Sequence, residues 1–205
     1  MADTGRFDQA AASWDALPRR VRMAQEIAAA VALQVPLSND LDVLDFGCGT
    51  GLVALFLQPL VGRVTGADAS PGMLDAFRQK LTEQGLTNVE TVLVDSGALL
   101  ALPKRFHLIV SSMALHHVAD LAPLFRAFHE HLHPGGRVAL ADLDREDGTF
   151  HEDPHGVYHL DFERSEIVEL LTAAGFVEVH TTTATVTSKE GREYPIFLAT
   201  GRKGA

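Results

Sequence analysis

Asp45, Gly47, Gly49 and Gly51 fall in one short run, Val43-Leu-Asp-Phe-Gly-Cys-Gly-Thr-Gly51. Glycines at this spacing let the chain turn sharply and bring its backbone close to a ligand. A helix start just beyond them offers unpaired N–H groups. Asp68 follows Gly51 by 17 residues. An acid there, at the end of a second strand, accepts hydrogen bonds from the two ribose hydroxyls of an adenosine-type cofactor. Asp95 and Ser96 end a third strand, where polar groups read an adenine edge. Asp45 lies two residues before the first glycine. A carboxylate there repels a pyrophosphate and suits a cationic ligand.

The remaining reactive side chains are weaker signals. Cys48 sits inside the glycine run, but no His/Asn pattern accompanies it as a nucleophile's partners would. Its loop is expected to contribute backbone. His116 and His117 follow a fourth strand, at the mouth of the same crevice. One is expected to pack and the other, His117, to be a candidate base toward a substrate. His151, His155 and His159 are spaced four apart, but Pro154 and Gly156 interrupt the helix that would make this a metal site. No metal is expected, and His155 is a second candidate base on a substrate-side lid. His129, His131 and His133 alternate near a helix end, whose negative pole they are expected to complement at the surface. Trp14, the only tryptophan, reads equally as a stacking partner for a ligand and as an anchor for an N-terminal helix.

Alternating strand and helix patterns position these groups. Strands are expected at 41–46, 63–67, 88–94, 106–112 and 137–143. Helices are expected at 51–60, 71–84 (Ser70 as N-cap, Pro71 first), 120–132 (stopped by Pro134-Gly135-Gly136) and 165–174. Residues 176–187 and 194–201 read as a hairpin. This is an α/β fold: a Rossmann-like, doubly wound, mostly parallel seven-stranded sheet with an antiparallel C-terminal hairpin. One domain is expected over 1–205. Residues 1–38 form a helical cap, mobile when the site is empty, and 144–163 a lid-like connection over the substrate side.

The chain has 205 residues, 46% hydrophobic and 21% charged, an ordinary globular composition. Its net charge of −10 disfavours nucleic acid and anionic membranes as partners. No apolar run approaches the ~20 residues that span a bilayer, and a lone cysteine forms no intrachain disulfide. The cytoplasm is the expected compartment.

VLDFGCGTG, the acid in GADAS, VDSG, FHLIVSSMALHHV and LHPGG resemble, in order, the motifs of the class I S-adenosylmethionine-dependent methyltransferases. The likeness is to the small-molecule branch that includes ubiquinone/menaquinone methyltransferase-like enzymes. It implies that Asp45, Gly47, Cys48, Gly49 and Gly51 line the methionine end of S-adenosyl-L-methionine. It implies that Asp68 binds the ribose, that Ala69, Ser70 and Met73 flank the adenine, and that Asp95 and Ser96 contact its edge. Ser111 and Met113 would close the pocket near the sulfonium. Phe7, Trp14 and Arg19–Arg20 resemble the capping segment. The implied reaction is methyl transfer to a small-molecule acceptor by in-line displacement, leaving S-adenosyl-L-homocysteine. Two alternatives stay open: a non-catalytic cofactor-binding subunit, and a nicotinamide-dependent oxidoreductase, against which GxGxG in place of GxGxxG weighs.

Overall fold

The computed structural model describes residues 4–94 and 104–204. Its strands are β1 Asp42–Phe46, β2 Arg63–Asp68, β3 Val89–Leu93, β4 Phe106–Ser112, β5 Leu132–Leu143, β6 Phe176–Lys189 and β7 Arg192–Lys203. They form one seven-stranded sheet in the order β3-β2-β1-β4-β5-β7-β6. Neighbours from β3 to β5 pair in parallel, and β7 pairs antiparallel with both β5 and β6. The helices are α1 Gly5–Ala10, α2 Pro18–Gln34, α3 Leu52–Leu57, α4 Pro71–Glu83, α5 Leu121–His131 and α6 Arg164–Ala173. None of them is long and apolar enough to cross a membrane.

Both faces of the sheet's centre are covered, which is why β1 and β4 read as nearly continuous apolar runs. Along β4 beyond the register shift at Phe106/Leu108, Leu108 and Val110 pack with α2, α3 and α4, while Ile109 between them packs with α5 and α6. The same alternation runs along β5 and β7, so the two cores interleave with period two. Ser70 caps α4 by accepting from Met73 N (3.1 Å), and Asp120 caps α5 by accepting from Ala122 N (3.0 Å).

Three expectations need correction. The helix over 51–60 is shorter: α3 stops at Leu57 and a 3-10 turn, Gln58–Leu60, carries the proline. β5 begins at Leu132, directly after α5, and Pro134-Gly135-Gly136 is an excursion within it rather than a stop before it. The pairing jumps from Phe106↔Leu132 to Leu108↔Arg137 across that excursion. The three alternating histidines do not jointly serve the helix end. Only His131 bonds a helix carbonyl (Nδ1 to Ala127 O, 3.0 Å), while His133 stacks on His107 and His129 meets the edge of Phe176. The cation at that pole is Lys203, whose Nζ donates to His129 O and Leu132 O at 2.7 and 3.0 Å.

Candidate active site

The site lies beyond the carboxyl ends of β1, β2 and β4, where open parallel sheets bind ligands. Gly47 turns the chain after β1 at φ +70°, and a Cβ there would collide with Ala114. The turn lets Gly49 N donate to Asp68 Oδ2 at 2.7 Å. Ser70 N donates to Asp68 Oδ1 at 2.9 Å. Burial pushes the Asp68 carboxyl above its usual range, and these N–H bonds partly offset it. Asp45 is 1% exposed, and its Oδ2 is buried without a hydrogen-bond partner. Burial raises its carboxyl to about 7; Asp68 nearby adds to this, and a bond from Ala54 N–H opposes it. Burial, then Asp45 and Asp68, push the Cys48 thiol up as well, which suppresses thiolate chemistry.

These groups open on a cavity of about 530 Å³. Asp45, Gly47, Cys48, Gly49, Asp68, Ala69, Met73 and Met113 all line it, as does Trp14. Gly51 and Ser70 stand behind the lining, one as the left-handed N-cap of α3 and the other as the cap of α4. Asp95 and Ser96 lie outside the described residues. Ser111 requires correction: its side chain is 1% exposed and faces the sheet interior, and the neighbouring Ser112 is the one that lines the cavity.

The N-terminal segment covers the cavity. α1 buries no residue, and the following 3-10 turn buries only Ala11. Polar side chains hold the segment down instead. Asp8 accepts from Ser70 Oγ (2.6 Å) and Gly72 N (2.8 Å); Asp15 accepts from Thr50 Oγ1 and Lys80 Nζ (both 2.6 Å). Trp14 lies with the Arg20 guanidinium 3.7 Å from its ring centre, and Phe7 is 6.0 Å from it. A cover held by surface bonds over little apolar burial opens readily. Amide exchange over residues 5–16 is therefore expected to be fast in the empty protein and slower with S-adenosylhomocysteine bound. Equal protection in both states, by mass spectrometry, would overturn this.

The histidines separate sharply. His155 is exposed and does not line the cavity, so it is withdrawn as a base. His117 lines the cavity, with Nδ1 2.7 Å from Gly156 O. A carbonyl only accepts, so Nδ1 carries the proton and Nε2 keeps its lone pair. Burial, then the neighbouring His116, push His117 down to about 3. His116 is 4% exposed, and its Nδ1 is 2.7 Å from Asp142 Oδ1. Burial would raise the Asp142 carboxyl, but His116 and N–H bonds from Leu143 and His116 hold it below its usual range. The His116–Asp142 pair carries no sequence signal, because 26 residues separate its members.

The connection 144–163 is pinned, not helical. Asp144 bridges Phe162 at its base, and Tyr158 N donates to His116 O at 2.9 Å. His151 lies tilted against His116 (ring centres 4.8 Å apart) while His159 bonds Val118 O, so the three spaced histidines do not converge.

Residues 43–136 match the methyltransferase domain family. An uncharacterised methyltransferase of Schizosaccharomyces pombe is 30% identical over 124 residues, covering 57% of this chain and 44% of that protein. A ubiquinone biosynthesis O-methyltransferase of Cereibacter sphaeroides is 33% identical over 119 residues, covering 58% and 48%. Within residues 43–136 the chain is similar to methyltransferase domains, and the relatives matched are named as methyltransferases. The chain spans about half the length of these curated relatives. The phosphoethanolamine N-methyltransferase 2 of Haemonchus contortus, solved with S-adenosyl-L-methionine, shares the fold at TM-score 0.72 and 17% identity, covering 87% of this chain and 52% of that one.

The cofactor of these methyltransferases is S-adenosyl-L-methionine, and the cavity has groups that fit it. The orphaned Oδ2 of Asp45 suits an ammonium group, Asp68 suits a ribose diol, and Arg20, which lines the cavity, suits a carboxylate. The match at Asp45 has a measurable consequence. A carboxyl raised from 3.8 to about 7 in the fold contributes a penalty absent below about pH 4 and complete above about pH 7. A bound ammonium relieves that penalty and lowers the pKa again. S-adenosylhomocysteine binding at pH 6 is therefore expected to release close to one proton, read from the dependence of the heat on buffer ionisation enthalpy. The release should shrink to about a tenth of a proton at pH 8 and vanish in Asp45→Asn.

Proposed function

We propose that the protein transfers a methyl group to a small-molecule acceptor in the cytoplasm, where Cys48 stays reduced. One observation carries the reading: a buried carboxylate oxygen of Asp45, without a partner, beside a cavity that Asp68 also lines. The same carboxylate disfavours a dinucleotide, whose pyrophosphate would sit against this loop. The covering segment and the acidic surface favour a small acceptor over a polymer. The motif set supports the ubiquinone/menaquinone-like branch.

When bound, the cofactor supplies a methyl group already activated by a sulfonium charge. The chain's own work is then positioning and exclusion of water. Asp45 and Asp68 hold the two ends of the cofactor half of the cavity. Phe7, Trp14 and Met113 wall the site with apolar surface. His117 remains neutral across the physiological range and offers Nε2 as a hydrogen-bond acceptor to an acceptor hydroxyl.

Calorimetric titration with S-adenosylhomocysteine, with NAD in parallel, tests the cofactor half of this reading. Binding of the former alone supports it, and binding of NAD alone overturns it. Incubation of the protein and S-adenosylmethionine with a panel of phenols and carboxylic acids, followed by assay for S-adenosylhomocysteine, tests transfer. Cofactor binding with no turnover on any acceptor would favour a non-catalytic binding subunit.

A further inference from the structure

We propose that the acceptor carries a carboxylate, and that Arg6, backed by Arg19, holds it. This assignment rests on the methyl-transfer reading and names its substrate class. The chain is strongly acidic overall, yet two arginines, Arg20 and Arg6, line the cavity, with Arg19 outside the lining. Arg6 is the one not matched to the cofactor. Its described contacts are the Asp153 carbonyl at 3.4 Å and the Phe7 ring at 4.7 Å. Ion pairs among the described residues engage Lys80, Lys189 and Arg164, and they include neither Arg6 nor Arg19. Arg19 lies over the Phe150 ring at 5.6 Å, with Nη1 buried and lacking a hydrogen-bond partner. His151, edge-on to the same ring, also buries an unpartnered nitrogen, Nε2.

The acidic groups nearby are already engaged. Asp142 accepts from His116 Nδ1, His116 N and Leu143 N. Glu152 is exposed and pairs with Lys189. Asp45 and Asp68 serve the cofactor half. Burial holds His117 and His151 neutral, so the arginines carry the charge here. Arg6 lines the cavity with no ion pair among the described residues, and a carboxylate takes strong, bidentate bonds from such a guanidinium. The adjoining walls, Phe7, Trp14, Met113 and Tyr158, suit an aromatic or apolar body on the same molecule.

The test uses the full chain saturated with S-adenosylhomocysteine. 4-Hydroxybenzoate and indole-3-acetate are titrated against it by calorimetry, beside their amides and 4-hydroxyphenyl phosphate. The carboxylates are expected to bind about tenfold tighter than the matched amides. Arg6→Gln should remove that preference, and Arg6→Lys should keep part of it. Arg19→Gln should weaken the carboxylates alone, leaving the amides where they were. Amides binding as tightly as acids, or no carboxylate binding at all, would overturn the proposal. A phosphate monoester binding more tightly than the carboxylates would overturn the assignment of the anion. If S-adenosylhomocysteine itself does not bind, the methyl-transfer reading has failed as well, and the two failures are thereby told apart.

Discussion

Asp68→Asn is expected to weaken S-adenosylhomocysteine binding roughly hundredfold while leaving the fold in place. The Asp68 carboxylate is held in plane by two backbone donors, Gly49 N at 2.7 Å and Ser70 N at 2.9 Å. In the reading proposed above, its remaining lone pairs accept from a ribose diol. An asparagine has one acceptor oxygen and must point its NH2 at either a backbone N–H or the sugar. Hydrogen bonds to charged groups contribute about 1.5–3 kcal/mol each. Losing two, with partial relaxation, gives a deficit near 3 kcal/mol, or about two decades in Kd. The empty protein should tolerate the change. Burial raises the Asp68 carboxyl in the fold, so ionisation there opposes folding above about pH 4, and a neutral side chain removes that penalty. Calorimetry gives the affinity and thermal unfolding the control. Unchanged affinity would remove Asp68 from the site, and a large fall in Tm would mean that the loss of binding is structural.

Gly51→Ala should act on stability. Gly51 caps α3 at φ +81°, where a Cβ costs about 1–2 kcal/mol. The added Cβ would also strike the Phe77 ring, which is fully buried under the loop and has nowhere to move. Displacing such a ring approaches the cost of truncating it, about 3–5 kcal/mol. The sum, about 4–7 kcal/mol, should lower Tm by roughly 10–20 °C in a domain of this size. Gly49→Ala is the matched control. Its φ is also positive, +53°, but a Cβ there meets nothing within 4 Å. It should show the backbone penalty alone and fall by only a few degrees. Equal losses in the two variants would mean that Phe77 yields, and the collision argument would fail.

Local signals in the chain were enough for the architecture and for bringing the glycine loop and the strand-end acids to one cavity. Periodicity and capping residues placed the strands and the helices beyond residue 50 to within a few residues, except where β5 begins five residues early; residues 1–38 read only as a helical cap. Glycines at positive φ and acids at strand ends are short-range features, and strand order carries them to one edge of the sheet. That is why Asp45, Gly47, Gly49 and Asp68 could be read as neighbours. Tertiary structure decided what depends on pairing across the fold. Ser111 and Ser112 were indistinguishable in the sequence, because β4 is apolar on both faces and its parity shows only once the cores form. The latches Asp8–Ser70 and Asp15–Thr50, the pair His116–Asp142 and the Lys203 cap on α5 join residues 26 to 74 positions apart. No local propensity encodes such contacts. They exist because the sheet order brings separate strand ends and helix termini together, where buried polar groups must find partners.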